Sequence, residues 1–261
     1  MTDRLIDVNV NLSRWPTRRV RGDETADLVA KLKAHGVVEA WAGSFDGLLH
    51  KDVAAVNARL AEECKAHTDV RLVPFGTVNP MLPDWEEDLR RCAEVHRMPG
   101  VRLHPNYHGY KLDHPDFARL LKLAAERRLI VTLALLMEDV RMMHRLLQVP
   151  NVDPAPLAVL VAKTPGLKLV LLNALGVLKG DARVTLLRSG DVSVDIGTLE
   201  IVNGVANLLD EVAQDRVLFG SHAPLFYFES ALLKLKEPPL TAQQLKAIRE
   251  ENARRLHPLA D

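Results

Sequence analysis

The chain has 261 residues, 48% of them hydrophobic and 26% charged, ordinary for a globular protein with a sizeable core and close to the length of one (β/α)8 barrel. Its 34 basic and 34 acidic residues cancel, which argues against a general nucleic-acid binder, and no apolar stretch approaches the roughly 20 residues of a membrane-spanning helix. Asp3, Arg4 and Asp7 interrupt any secretory apolar segment, so the cytoplasm is the expected compartment.

The first apolar run, residues 5–12, reads as a strand with Ile6, Val8, Val10 and Leu12 on one face and Asp7, Asn9 and Asn11 on the other. A helix follows over 25–35, its stripe formed by Leu28, Val29 and Leu32 and its end marked by Gly36. Further strands are expected over 37–43, 70–78, 100–104, 129–136, 167–173, 191–196 and 216–221. Helices at 52–66, 83–96, 116–128, 139–147, 156–163 and 199–211 fill most gaps between them. Thr241 opens a last helix with Leu245, Ile248, Ala253 and Leu256 apolar. Eight strands alternating with helices predict a parallel sheet closed into a (β/α)8 TIM barrel, one domain over residues 1–261. Cys64 and Cys92 fall in separate helices and read as buried reduced thiols.

Barrel enzymes keep their chemistry at the C-terminal ends of the strands, so the inward-facing residue at each strand end carries the functional argument. The first strand offers Asn9 and Asn11, and the fourth Arg102 and His104, with Val101 and Leu103 on the helix side. The sixth places Leu169, Leu171 and Asn173 on one face, the seventh Ser193 and Asp195, the eighth Leu218, Gly220 and His222. Barrel interiors are normally aliphatic, and burying polar groups without partners is costly. Polar residues at five strand ends therefore predict a pocket, subject to the strand phase, which a bulge reverses locally.

Ile6-Asp7-Val8-Asn9-Val10-Asn11, Gly100-Val101-Arg102-Leu103-His104-Pro105, Val170-Leu171-Leu172-Asn173-Ala174-Leu175-Gly176, Val217-Leu218-Phe219-Gly220-Ser221-His222-Ala223-Pro224 and Asn252-Ala253-Arg254-Arg255-Leu256 occur in this order. The series resembles the amidohydrolase-related (amidohydrolase 2-like) family across most of the chain. That resemblance implies a metal-dependent TIM barrel, a hydrolase or in some members a non-oxidative decarboxylase, and a divalent metal, zinc, as cofactor. It also implies a His-x-His pair where Asn9 and Asn11 stand, a histidine at the end of the fifth strand where Thr132-Leu133-Ala134-Leu135 has none, a histidine at Asn173 and an aspartate at His222. Zinc sites use imidazole, thiolate or carboxylate ligands, and amide oxygens suit harder ions. No tightly bound cofactor is expected, with His104, His222, Asn9 and Asn11 as weak metal candidates.

Each candidate has a structural and a functional reading. His222 reads as the proton-transfer group, because neutral imidazole exchanges a proton near neutral pH, or as a satisfied structural histidine. His104 either assists or shapes the turn before Pro105. Asp195 either orients one of these rings or caps a loop. Asn9, Asn11 and Asn173 would position a substrate, or only bond to neighbouring loops. Arg102 and Arg141 would form an anion-binding edge, while Asp139 reads most simply as a helix N-cap. Asn252 is expected to tie the last helix to the barrel, and His114, His144 and His257 are read as exposed. The sequence holds no Gly-x-Ser-x-Gly elbow, phosphate loop, Gly-x-Gly-x-x-Gly turn or Cys-x-x-Cys pair. Two functions stay open: a hydrolase-type enzyme acting on a small polar or carboxylated molecule, and a barrel that binds a small molecule or protein partner without turnover. A weakly metal-dependent lyase is third. Partners are expected to be a small molecule and, on the resemblance, further copies of the chain, with no nucleic acid or membrane.

Overall fold

The computed structural model describes residues 4–259. Eight strands, β1 (Leu5–Leu12), β2 (Val37–Ser44), β3 (Arg71–Thr77), β4 (Gly100–Leu103), β5 (Ile130–Ala134), β6 (Lys168–Leu172), β7 (Asp191–Asp195) and β8 (Val217–Leu218), pair in chain order. All seven pairings are parallel. β8 is two residues long, so the ring closes mainly through the segment that follows it. Val8 N donates to Phe219 O at 3.0 Å, His222 N to Asn9 O at 2.9 Å and Asn11 N to Ala223 O at 2.9 Å. The molecule is a TIM barrel.

Two apolar layers explain why these sequences become these strands. Val101, Leu103, Leu169, Leu171, Val192 and Val194 pack with helix residues such as Leu28, Leu60, Leu120 and Leu208 in the outer layer. Ile6, Val8, Trp41, Phe75, Val170 and Leu218 fill the inside of the ring. Trp41 stacks on Phe75 with centroids 4.9 Å apart. Below them, at the N-terminal end, buried Glu39 accepts from Arg71 at 3.0 Å, Arg254 at 2.6 Å and Trp41 Nε1 at 3.1 Å. That triple satisfaction lets one carboxylate plug the floor without an unpaired buried charge.

Strand phase departs from the sequence reading in two places. In β1, register shifts between Leu5 and Ile6 and between Asp7 and Val10 break the aliphatic face. Ile6 and Val8 join the interior cluster, whereas Val10 and Leu12 join the outer one. Asp7 consequently leaves the Asn9–Asn11 set and turns toward Ser221. In β6 the expected face is reversed: Val170 and Leu172 lie inside, and Leu169 and Leu171 pack against the helices. A strand of continuous Leu and Val carries no alternation from which to read its phase.

The helices fall close to their expected positions, with one exception. Residues 139–147 form only a 3-10 turn, Val140–Met142, capped by the Asp139 side chain, and Met143 is already extended. The remainder of 135–156 is irregular. A nine-residue helix is marginal in isolation, and here burial of Met137, Glu138 and Met143 dictates the path. The helix expected from residue 199 begins at Gly204, and Gly180–Arg188 and Phe228–Lys236 supply helices in gaps left open. The last helix opens on a Thr241–Gln244 capping box. Asn252 Nδ2 donates to Gln214 O at 2.8 Å and Val217 O at 2.7 Å, tying that helix to β8.

Candidate functional site

The ends of β1, β4, β6, β7 and β8 bring Asn9, Asn11, Arg102, His104, Asn173, Asp195 and His222 together, each at most 1% exposed. Two of them leave their strands through the left-handed region, Asn173 at φ 53° and His222 at φ 60°. Non-glycine residues seldom adopt that conformation, and where they do the surroundings hold them in it. Here the holding contacts are visible. Asn173 Nδ2 donates to Leu136 O at 2.8 Å, and His222 Nε2 is 2.7 Å from Met137 O.

Asn9 sits between two acceptors. Its Nδ2 donates to Asn173 Oδ1 at 2.9 Å and to Asp195 Oδ2 at 2.6 Å. Asp195 Oδ1 accepts from the backbone N–H groups of Asn173 at 3.0 Å and Gly197 at 3.2 Å. Burial pushes Asp195 up to about 6 against those bonds. Asp7 stands next to this network, its Oδ1 accepting from Asn9 N and Ser221 N, both at 3.0 Å, and its Oδ2 from Ser221 Oγ at 2.5 Å. Burial raises Asp7 to about 7, the Ser221 and Asn9 bonds opposing it.

Arg102 is a buried cation with no carboxylate of the described residues in contact. Nη1 donates to Val10 O at 2.6 Å and Asn11 Oδ1 at 2.9 Å, and Nη2 to Trp41 O at 2.9 Å and Val8 O at 3.2 Å. Burial lowers it to about 10, outweighing the attraction of Asp7 and Asp195, so it stays charged at neutral pH. Gly43 makes room for this side chain: a Cβ there would lie 2.6 Å from Arg102 Cδ.

The histidines are electrically neutral and only partly engaged. Burial takes His222 down to about 4. Burial first, and then the repulsion a proton on its ring would meet from Arg102 and from any proton on His108 or His222, takes His104 well below its usual range. Since Met137 O can only accept, His222 carries its proton on Nε2 and leaves Nδ1 as an unused lone pair. Among the described residues His104 has no partner at either nitrogen, and Asn11 Nδ2, Arg102 Nε, His108 Nδ1 and Thr77 Oγ1 are likewise without one. These groups share one side of the mouth, with the His104 and His108 rings 6.1 Å apart and His108 Nε2 2.9 Å from Gly47 O.

The donor set does not fit a divalent metal. Asn9 presents an N–H donor between the two oxygens that would face a cation, and Asp195 is the only carboxylate in that cluster. Among the described residues no group of three His, Cys, Asp or Glu side chains could hold an ion.

Several expected roles change. Asp195 bonds to amides and backbone, not to either imidazole, so it does not orient His104 or His222. Arg141 is absent from the mouth: its side chain is 85% exposed and bound to Asp139 two residues away, because the expected helix is a tight turn that folds it back. His257 is half-buried against Trp41 instead of exposed. No site role is read from the sequence for Asp7, Ser221, Gly43 or Thr77, although Asp7 and Ser221 lie within the motifs quoted above. His108 stands in the polar, aromatic loop 106–110 after the fourth strand and Glu138 just after the fifth, places where ligand-binding residues are often found.

The fold is a TIM barrel with polar side chains gathered at the ends of five strands. The amidohydrolase family model (Amidohydro_2) matches residues 13–259, and the chain belongs to that family. No curated protein matches it in sequence. Among solved structures, 5-carboxyvanillate decarboxylase from Sphingomonas paucimobilis superposes with a TM-score of 0.78 at 14% identity, covering 99% of this chain and 100% of the other. The 2,6-dihydroxybenzoate decarboxylase from Rhizobium gives 0.73 at 15% identity, covering 98% of each chain. A dihydroxybenzoic acid decarboxylase from Polaromonas sp. JS666, solved with bound manganese and the inhibitor 2-nitroresorcinol, gives 0.72 at 14% identity, covering 97% and 96%. At these identities the likeness is one of fold.

Proposed function

We propose that this protein binds a small carboxylated molecule at the barrel mouth and acts on it by proton transfer, without a resident divalent metal. The observation that carries this reading is His104, fully buried with both ring nitrogens unpartnered. Buried polar atoms are almost always bonded, so an imidazole left free on both sides calls for a ligand. The ligand's charge follows from Arg102, a buried cation without a contacting carboxylate, beside two acids that burial holds partly protonated. Arg102 Nε and Asn11 Nδ2 remain to receive an anionic oxygen. The three solved relatives named above are decarboxylases of carboxylated aromatic compounds, which supports the substrate class.

The reaction we favour is hydrolysis. His104 is neutral with a lone pair free to accept a proton from water, and burial makes it a weaker base than a solvated imidazole; Nδ1 of His222 is a second acceptor. Arg102 Nε and Asn11 Nδ2 would face the developing oxyanion, a role worth about 3 kcal/mol per donor in other hydrolases. A second reading, binding without turnover, has its own support: Asn9 Nδ2, Asn173 Oδ1 and both Asp195 oxygens are taken up by bonds within the cluster, which leaves Asp195 no free oxygen to act as a base.

The test uses chelator-treated protein with 2,6-dihydroxybenzoate and a panel of aromatic and aliphatic carboxylates bearing ester or amide groups. Thermal stabilisation reports binding, and mass spectrometry reports conversion. Binding and conversion in wild type, with both lost in His104→Ala, is the expected result. Stabilisation without conversion selects the binding reading. Unchanged binding in His104→Ala refutes the site.

A further inference from the structure

Three consecutive residues of the loop after β5 are each held by a side chain from another part of the mouth. Asn173, after β6, donates to Leu136 O at 2.8 Å; His222, after β8, donates to Met137 O at 2.7 Å; and Arg18, in the loop after β1, donates to Glu138 Oε2 at 2.7 Å. β1 and β5 lie opposite each other in an eight-stranded ring, so the Arg18–Glu138 pair crosses the whole opening. The loop spans 135–156 with one 3-10 turn as its only regular structure. Unstructured loops of that length in compact proteins are commonly covers over sites. The seven strand-end side chains of the site are sealed, and two donors that the site would offer a ligand, Asn173 Nδ2 and His222 Nε2, are occupied by the loop's carbonyls.

The Arg18–Glu138 pair is unequal. Glu138 is 3% exposed, whereas the Arg18 side chain is 35% exposed. Arg18 uses only Nη1, which also lies 3.5 Å from Met142 O; its Nε and Nη2 have no partner among the described residues. A guanidinium held through one nitrogen has not made the two-point contact that it makes with a free carboxylate. It also lines a cavity of about 240 Å³ together with Arg21, Lys31, Phe226, Tyr227 and the backbone beside His222. Lys31 is paired with Glu229 at 3.0 Å, and Arg21 has no partner among the described residues. The cavity is thus cationic, aromatic-walled and next to the sealed site.

We propose that Glu138 is an internal stand-in for the ligand's carboxylate, and that Arg18 is the residue that recognises that carboxylate on arrival. An anion reaching Arg18 through the cavity replaces Glu138, the loop is released, and Asn173 Nδ2 and His222 Nε2 become free to face the ligand. This rests on the carboxylated ligand proposed above, but its first test needs no ligand.

Backbone hydrogen exchange over 139–147 is followed by mass spectrometry in wild type, Arg18→Ala and Glu138→Gln, alone and with benzoate or its neutral isostere benzamide. Glu138→Gln keeps shape and removes charge, so it stands in if Arg18→Ala folds poorly, and melting curves check both. Without ligand, exchange in each variant should be about tenfold faster than in wild type. Benzoate should accelerate wild type, benzamide should not, and neither should further change Arg18→Ala. Unaltered exchange in a folded Glu138→Gln overturns the latch. Equal responses to benzoate and benzamide, or none to either, overturn recognition by Arg18. Thermal stabilisation by benzoate with an unresponsive loop would overturn this inference while leaving the proposed function standing; a responsive loop with no conversion of any substrate would do the reverse.

Discussion

Replacing Arg102 by Met measures what a buried cation without a contacting carboxylate is worth. Met fills most of the volume, so the change is mainly electrostatic. Lost are four hydrogen bonds from a charged donor, to Val10 O, Asn11 Oδ1, Trp41 O and Val8 O. At about 1.5–3 kcal/mol for each bond to a charged group, the gross loss is roughly 6–12 kcal/mol. Opposing it is the desolvation of the guanidinium, several kcal/mol, which the apolar side chain never incurs. The expected net destabilisation is about 3 kcal/mol, read in urea as a lower midpoint with an unchanged slope. In a chain of this size that lowers Tm by roughly 6–12 °C. Arg102→Lys should lose a comparable amount, since one ammonium cannot reach oxygens on β1 and β2 together. If Arg102→Met were as stable as wild type, the four bonds would do no more than balance desolvation, and the structural reason given for this residue would be wrong.

Stability should depend on pH in opposite directions at the two kinds of buried group. His222, lowered to about 4, contributes stability that is present above its ordinary 6.5 and lost as the pH falls toward 4. Asp7, raised to about 7, contributes stability that is present below its ordinary 3.8 and lost as the pH rises through 7. Asp7→Asn mimics the protonated acid, so its urea midpoint should fall less than that of wild type between about pH 5 and pH 8; parallel curves would contradict the assignment. Burial pushes both thiols, Cys64 and Cys92, up to about 12, so native protein should react with a thiol reagent only at the rate of unfolding, and rapid labelling would show otherwise. Dialysis against zinc or manganese followed by elemental analysis should find well under one ion per chain, and stoichiometric uptake would refute the fit argued from Asn9.

The barrel was legible because its strands are short apolar runs separated by amphipathic helices, and that pattern survives any error of phase. The phase itself was legible only where polar residues interrupt a strand. Arg102 in β4 and Ser193 and Asp195 in β7 fixed the inward face correctly, as Val101, Leu103, Val192 and Val194 confirm by packing outward. β6 has no such marker, and its expected face was reversed. Asn173 nevertheless reaches the mouth, because its left-handed backbone redirects the chain after the strand. Nor could Arg141 be told apart from Arg18 as the mouth's arginine. Both follow strands, but one closes on a neighbour two residues away and the other spans 120 positions to Glu138, a distance that no local pattern encodes.

The barrel's hoop is fastened where its first and last strands meet, and the fastening runs through the backbones of Asn9, Asn11 and His222 themselves. Their side chains face the mouth while their peptide groups hold the cylinder shut. Because peptide groups and not side chains make these bonds, substitutions at Asn9, Asn11 or His222 can alter what the mouth binds while the hoop stays fastened.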